Sequence, residues 1–250
     1  MQVHFIASTV IEHEGFAELC EQLGYEPTPK NVWGLADGGT VAEQLTEFAG
    51  RACYKSWQRP NPETAHVDGY LSNIIDQGHF SIMEHASATF YVQGVSRALL
   101  AELSRHRHLS FSVESQRFVD YSQTRPVIPP AVAEVPGLAE KVIEPLYEEL
   151  TGEYVSLVKT LTERGLSRKQ AREAARAVLP NCAPVDLVVT GNLRAWRDVI
   201  GKRYHVAADA EISRFAAEVL SWMKALAPSC FQDIPNRPAG QDYDFAGLTK

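Results

Sequence analysis

The sequence predicts an α+β chain, and three observations carry that expectation. Apolar and polar residues alternate in strand fashion at Val3-Phe5-Ala7 and over residues 84–92, and residues 185–190 also read as a strand. Helical spacing follows two capping boxes, Thr40 with Glu43 and Ser167 with Gln170. The two patterns interleave without regular βαβ units, and no repeat or low-complexity tract divides the chain, so a single domain over 1–250 is expected.

The elements follow in order. Residues 24–39, rich in Gly and Pro, read as loop. Thr40 opens a helix that Leu45, Phe48, Ala49 and Ala52 carry to about Tyr54, and a second runs from about Thr64 to Gln77, closed by Gly78. Over 84–92 the residues Ala86, Ala88, Phe90 and Val92 oppose His85, Ser87, Thr89 and Tyr91, a strand whose polar face could line a site. Ser96 caps a helix to about Arg105, after which Phe111 and Val113 sit in extended chain. Beyond the proline-rich break at 126–136, a helix over 138–163 should turn Leu146, Leu150, Leu157 and Leu161 inward, with Pro145 near its start or at a kink. Ser167 opens a helix that ends before Pro180; a strand covers 185–190, Gly191 and Asn192 make a turn, and one or two helices fill 193–226.

Composition narrows the function classes. A chain of 250 residues with 45% hydrophobic content can bury a large core. No apolar run approaches a membrane span, and Met1 to Val10 lacks a secretory pattern, so a cytoplasmic protein without membrane partners is expected. Cys20, Cys53, Cys182 and Cys230 are far apart and read as mostly buried thiols. Against a net charge of −7, residues 97–125 carry +2 and residues 164–203 carry +6. Such islands attract small anions while the acidic remainder repels nucleic acid, so phosphate-bearing metabolites are the expected partners.

The most informative stretch runs Arg105-His106-Arg107-His108-Leu109-Ser110-Phe111-Ser112-Val113-Glu114-Ser115-Gln116-Arg117. Planar guanidiniums and small hydroxyls suit phosphates and electron-rich heterocycles. A solvated helix end could also hold such a basic run. The interleaved Leu109, Phe111 and Val113, however, pin this backbone to the core.

Arg105-His106-Arg107, seven residues and then Ser115 resembles the signature of the flavin-dependent thymidylate synthases. The chain is similar to that family also at Arg51-Ala52-Cys53-Tyr54, at Gly78-His79-Phe80-Ser81 with Glu84-His85, at 172–181 and at 190–203. Five blocks in the family's order, spanning about 40–225, make a specific match. The resemblance implies a central, mostly antiparallel sheet flanked by helices. It also implies reductive methylation of dUMP to dTMP, with methylenetetrahydrofolate as carbon donor, NADPH as reductant and FAD as hydride relay, in a homotetramer with shared sites. No dinucleotide-binding glycine fingerprint occurs, so the flavin diphosphate must meet side chains.

Carried over residue by residue, the flavin positions are Ser81, Arg105, His106, Arg107 and Val113, continuing at Asn192, Leu193, Arg194 and Asp198. The dUMP positions are Glu102, Leu103, Ser104 and Arg105, then Val113, Glu114, Ser115, Gln116 and Arg117, with Arg176 and Arg203. Arg203 and Ser115 take catalytic positions. His79 does too, beside flavin and folate, and Tyr54 shares its pocket. Arg203 would favour loss of the uracil N3 proton by stabilising the anion, since a guanidinium is a poor base. Two residues depart from the family. Val113 stands where Gln or Glu is usual, with Glu114 facing the other way, and Asp198 replaces Asn or His.

Rival readings attach to single features. Leu179-Pro180-Asn181-Cys182 resembles the cysteine segment of the other thymidylate synthases, but no further resemblance supports it, and no enzyme cysteine nucleophile is expected. His79, Glu84 and His85, or His106 with His108, lack the spacing of a metal site. Arg168, Arg172 and Arg176 could line a docking face at one-turn spacing; Arg176 is read as a ligand group and the other two as structural or solvated.

Overall fold

The structure, a computed structural model, describes residues 1–26, 39–59 and 61–236. Its strands are β1 (Gln2–Ser8), β2 (Ser87–Ser96), β3 (Ser110–Val113) and β4 (Pro184–Asn192). They form one antiparallel sheet in the order β1-β2-β4-β3. Around it lie α1 (His13–Leu23), α2 (Val41–Tyr54), α3 (Val67–Asp76), α4 (Arg97–Leu103) and the single turn α5 (Pro130–Ala133). Then come α6 (Glu144–Glu163), α7 (Arg168–Ala175), α8 (Leu193–Arg203) and α9 (Ala210–Leu226).

Alternation along the strands decides which face is dry. Ala88, Phe90 and Val92 of β2 and Val185, Leu187 and Val189 of β4 are buried in one core with Trp196 of α8 and Phe215 and Val219 of α9. The Trp196 indole N–H donates to the Ala88 carbonyl at 3.2 Å and its ring meets Phe90 edge-on, locking α8 against the sheet. On the opposite face the hydroxyls of Thr89 and Thr190 pair at 2.9 Å, and Tyr91 donates to Asp186 at 2.9 Å. The polar face of β2 thus bonds across to β4.

Several expectations change in detail. α1 was not anticipated, although Phe16, Leu19, Cys20 and Leu23 have helical spacing. The Glu12 carboxylate caps it and Gly24, in the left-handed region, closes it. Of the loop expected over 24–39, only residues 24–26 and 39 lie within the described residues. Ala7 is exposed, because the register of β1 shifts between Phe5 and Ala7. The second predicted helix begins later, at Val67, since His66 is extended, and it does close at Gly78 (φ 69°). The strand predicted over 84–92 instead runs from Ser87 to Ser96, because residues 80–84 form a 3-10 turn. Gly191 and Asn192 are not a turn but the paired end of β4.

The helix predicted over 138–163 is interrupted. Residues 139–143 form a π turn ahead of Pro145, whose missing N–H cannot continue the α ladder. Leu146 points outward, 51% exposed; the buried stripe of α6 is Tyr147, Thr151 and Tyr154, with Leu157 packed beside it and Leu150 and Leu161 half-buried. These tyrosines join Tyr121, Ala175 and Ala183 in a second, smaller core between α6 and α7.

Arg51 is 2% exposed and serves the fold. Its Nε lies 2.7 Å from Glu47, its two terminal nitrogens donate to the carbonyls of Ser56 and Thr64, and its guanidinium stacks over Tyr70. Arg51→Met strands the buried Glu47 carboxylate with Arg59, 3.4 Å away, as its remaining ion-pair partner. Urea unfolding should show a loss of about 3 kcal/mol, the low end for breaking a buried pair.

Candidate functional site

The site is organised on α8. Asn192 caps it, its side chain accepting from the Ala195 N–H at 2.8 Å, and Leu193 anchors the first turn in the core. Arg194, Asp198 and Lys202 recur every four residues and so share one face of the helix.

Asp198, Lys202 and Arg203 line a cleft of about 530 Å³ with Arg105, His106, Arg107 and His108. The loop carrying these four is tied down at both ends. Arg105 and His106 follow the end of α4 through bonds to the Glu102 and Leu103 carbonyls, and Leu109 packs onto Gly191. A Cβ on Gly191 would stand 2.5 Å from the Leu109 side chain, so only glycine lets the loop approach this closely. Arg105 and Arg107 are exposed and, among the described residues, neither has a carboxylate partner. Six potentially cationic side chains beside one carboxylate make an anion site, and the diphosphate of a flavin dinucleotide fits that donor set.

Arg203 is half-buried and held on three sides. Its Nε donates to His106 Nε2 at 3.0 Å, one terminal nitrogen donates to the Glu102 carboxylate at 2.7 Å and the other to the Glu102 carbonyl at 3.1 Å. Two of a guanidinium's five N–H groups remain for a ligand. Glu102, carried over as a dUMP position, here orients Arg203; Leu103 is fully buried and Ser104 is exposed at the helix end.

Asp198 accepts from His106 on one oxygen at 3.1 Å and pairs with Lys202 through the other at 2.6 Å. The hydrogen bond from His106, helped by Lys202 and opposed by partial burial, holds its carboxyl down at about 2. A depressed carboxyl stabilises the fold above its ordinary value of 3.8, and that stability is lost as pH falls towards 2. In acid unfolding, any advantage of the parent over Asp198→Asn at neutral pH should therefore vanish across that window.

A second cavity of about 290 Å³ joins Tyr54, His79, Ser81 and Arg194. Gly78, with positive φ, turns the chain out of α3 and presents His79 at the mouth. Tyr54 is 73% exposed at the end of α2, and Arg194 pairs with Glu84. Since Arg194 and Asp198 share a face of α8, this cavity and the cleft lie along one helix.

The remaining residues stand elsewhere, on the exit from β3. Val113 ends the strand, and the Glu114 N–H bonds to the Asp186 carbonyl. A turn at Ser115 follows, in which Gln116 is buried and Arg117 half-buried. Arg117 pairs with Glu173 of α7 at 2.8 Å, while Arg172 donates to the Phe118 carbonyl and to Asp120. Arg172 is therefore structural, and Arg168 is exposed. Arg176 follows α7, exposed and without a carboxylate partner among the described residues. Neither Ser115 nor Arg176 lines the cleft.

His108 of the basic stretch also lines the cleft, as does Lys202, which was not singled out; the four-residue step from Asp198 was the available signal for Lys202. Among the described residues no His, Cys, Asp and Glu side chains gather as a metal site, and no helix is long and apolar enough to cross a membrane.

Comparison with known proteins bears on the same region. A family model described as thymidylate synthase complementing protein matches residues 36–229. The chain is 45% identical over 251 residues to a protein of Mycobacterium phage D29, covering 99% of this chain and 100% of the relative. It is 53% identical over 205 residues to a protein of Mycobacterium phage L5, covering 80% and 84%; both phage proteins are named "Probable flavin-dependent thymidylate synthase". A flavin-dependent thymidylate synthase of Mycobacterium marinum is 48% identical over 205 residues, covering 80% and 81%.

Proposed function

This chain belongs to the flavin-dependent thymidylate synthase family, and from that premise we propose that it methylates dUMP reductively to dTMP. In this reading methylenetetrahydrofolate supplies the carbon, NADPH the reducing equivalents, and tetrahydrofolate is released. Bound FAD supplies the hydride chemistry that no side chain can provide.

The observation that carries the reading is the pair of unpartnered guanidiniums, Arg105 and Arg107, facing the oriented Arg203 across one cleft. Arg105 and Arg107 neutralise the flavin diphosphate, with His106, Ser81, Asn192 and Arg194 framing the cofactor along α8. Arg203 stabilises negative charge spreading into the uracil ring, which makes C5 a better carbon nucleophile without a covalent enzyme adduct. His79 and Tyr54 face the folate. Ser115, Gln116, Arg117 and Arg176 bind dUMP from another copy in a homotetramer, which accommodates their position away from the cleft. The whole chain acts as one catalytic unit in the cytoplasm, on small molecules and not on nucleic acid.

Purified protein should be yellow, lose its visible flavin absorbance on NADPH addition and regain it with dUMP and methylenetetrahydrofolate. Colourless protein that remains inert with added FAD overturns the reading. Cys182 has no part in it. Partial burial pushes its thiol above the ordinary range, the reverse of an activated nucleophile. Cys182→Ala should keep turnover within about twofold, as expected for a small apolar replacement outside the site, in a steady-state dTMP assay.

A further inference from the structure

We infer that Asp198 is a positioning residue for Arg203, acting through the tautomer of His106, and not a flavin contact. The inference rests on the functional reading above in naming dUMP as the ligand that Arg203 meets and FAD as the cofactor loaded beside it. A guanidinium Nε–H can only donate, so His106 Nε2, 3.0 Å away, must present its lone pair. The ring is then neutral with its proton on Nδ1, and Nδ1 stands 3.1 Å from Asp198 Oδ2. The Arg203 bond therefore selects the tautomer whose Nδ1–H the Asp198 carboxylate accepts. His106 is 8% exposed, so solvent has little room to replace either partner. The second Asp198 oxygen is held by Lys202, one turn further along α8, which fixes the carboxylate that fixes the ring.

The consequence reaches the guanidinium plane. Glu102 grips both terminal nitrogens of Arg203, through its carboxylate and its carbonyl, and His106 supplies the third point at Nε. Without an acceptor at position 198 the ring can carry its proton on Nε2, opposing two N–H groups, and Arg203 loses that third anchor. An acceptor without charge suffices for this role, so asparagine can replace aspartate where alanine cannot.

The test compares FAD-loaded parent, Asp198→Ala and Asp198→Asn by calorimetric titration with dUMP, alongside ¹⁵N-histidine spectra. Asp198→Ala should weaken dUMP binding about tenfold, the equivalent of one lost hydrogen bond to a charged group. It should not weaken FAD retention, because a carboxylate leaves the cleft and Lys202 is freed, while Asp198→Asn recovers most of the dUMP affinity. In the parent, His106 should be a neutral ring protonated at Nδ1, becoming a mixture in Asp198→Ala. Loss of FAD in place of dUMP affinity, unchanged dUMP binding, or an asparagine variant as weak as the alanine variant each overturns the inference. Should the parent bind neither FAD nor dUMP, the functional reading fails. The spectrum then decides the relay alone, and an Nε2-protonated His106 overturns it.

Discussion

Arg203→Lys is expected to lower turnover by about 10²–10³-fold, the scale of removing a donor aimed at developing negative charge. The substitution keeps a positive charge, which makes it the informative one. An ammonium offers a compact point charge where Arg203 offers three nitrogens in a plane. Lysine could keep the Glu102 carboxylate, 2.7 Å from the present guanidinium, yet it could not also meet the Glu102 carbonyl and His106 Nε2 while presenting N–H groups to a ligand. If charge alone mattered, lysine would retain most of the activity. Steady-state kinetics with dUMP varied separate the cases: loss confined to KM marks uniform binding, and loss in kcat marks an interaction made in the transition state.

The double change Arg105→Gln with Arg107→Gln should weaken FAD binding by about 10²–10⁴-fold, from two charged hydrogen-bonding groups worth about 1.5–3 kcal/mol each. Both side chains are exposed and unpaired among the described residues, so their loss leaves no buried charge behind and the fold should be untouched. The variant should elute colourless with an unchanged melting temperature in the absence of flavin. A yellow double variant would place the cofactor elsewhere.

Local features were legible in the sequence because neighbours along the chain decide them. Thr40 with Glu43 and Ser167 with Gln170 both form complete capping boxes, and alternation in β2 identified its buried face. On the inward face of α6 the leucines were only part of the signal: Leu157 packs against the second core and Leu150 and Leu161 are half-buried, but Leu146 is rotated outward and the fully buried residues are Tyr147 and Tyr154. The Arg-His-Arg motif and the block over 190–203 pointed to Arg105 to Arg107 and to Arg203, which line one cleft. It could not disclose that Asp198 meets His106, since 92 positions separate them and only the docking of α8 against the loop after α4 brings them together. Nor could spacing reveal that Arg51, inside a resembling block, is spent on Glu47 and on the turn after α2. Spacing also fails to show that Ser115 and Arg176 stand apart from the cleft, which depends on how β3 leaves the sheet.

The most direct test of the central claim, that a guanidinium-lined flavin site drives this methylation, is identification of the folate released. FAD-loaded protein is given dUMP, NADPH and methylenetetrahydrofolate, and the products are separated. Methyl formation needs the donated methylene plus one hydride, and a hydride drawn from NADPH through flavin leaves tetrahydrofolate in equal amount with dTMP. Dihydrofolate in equal amount with dTMP would mean that folate itself was oxidised, and would contradict the claim.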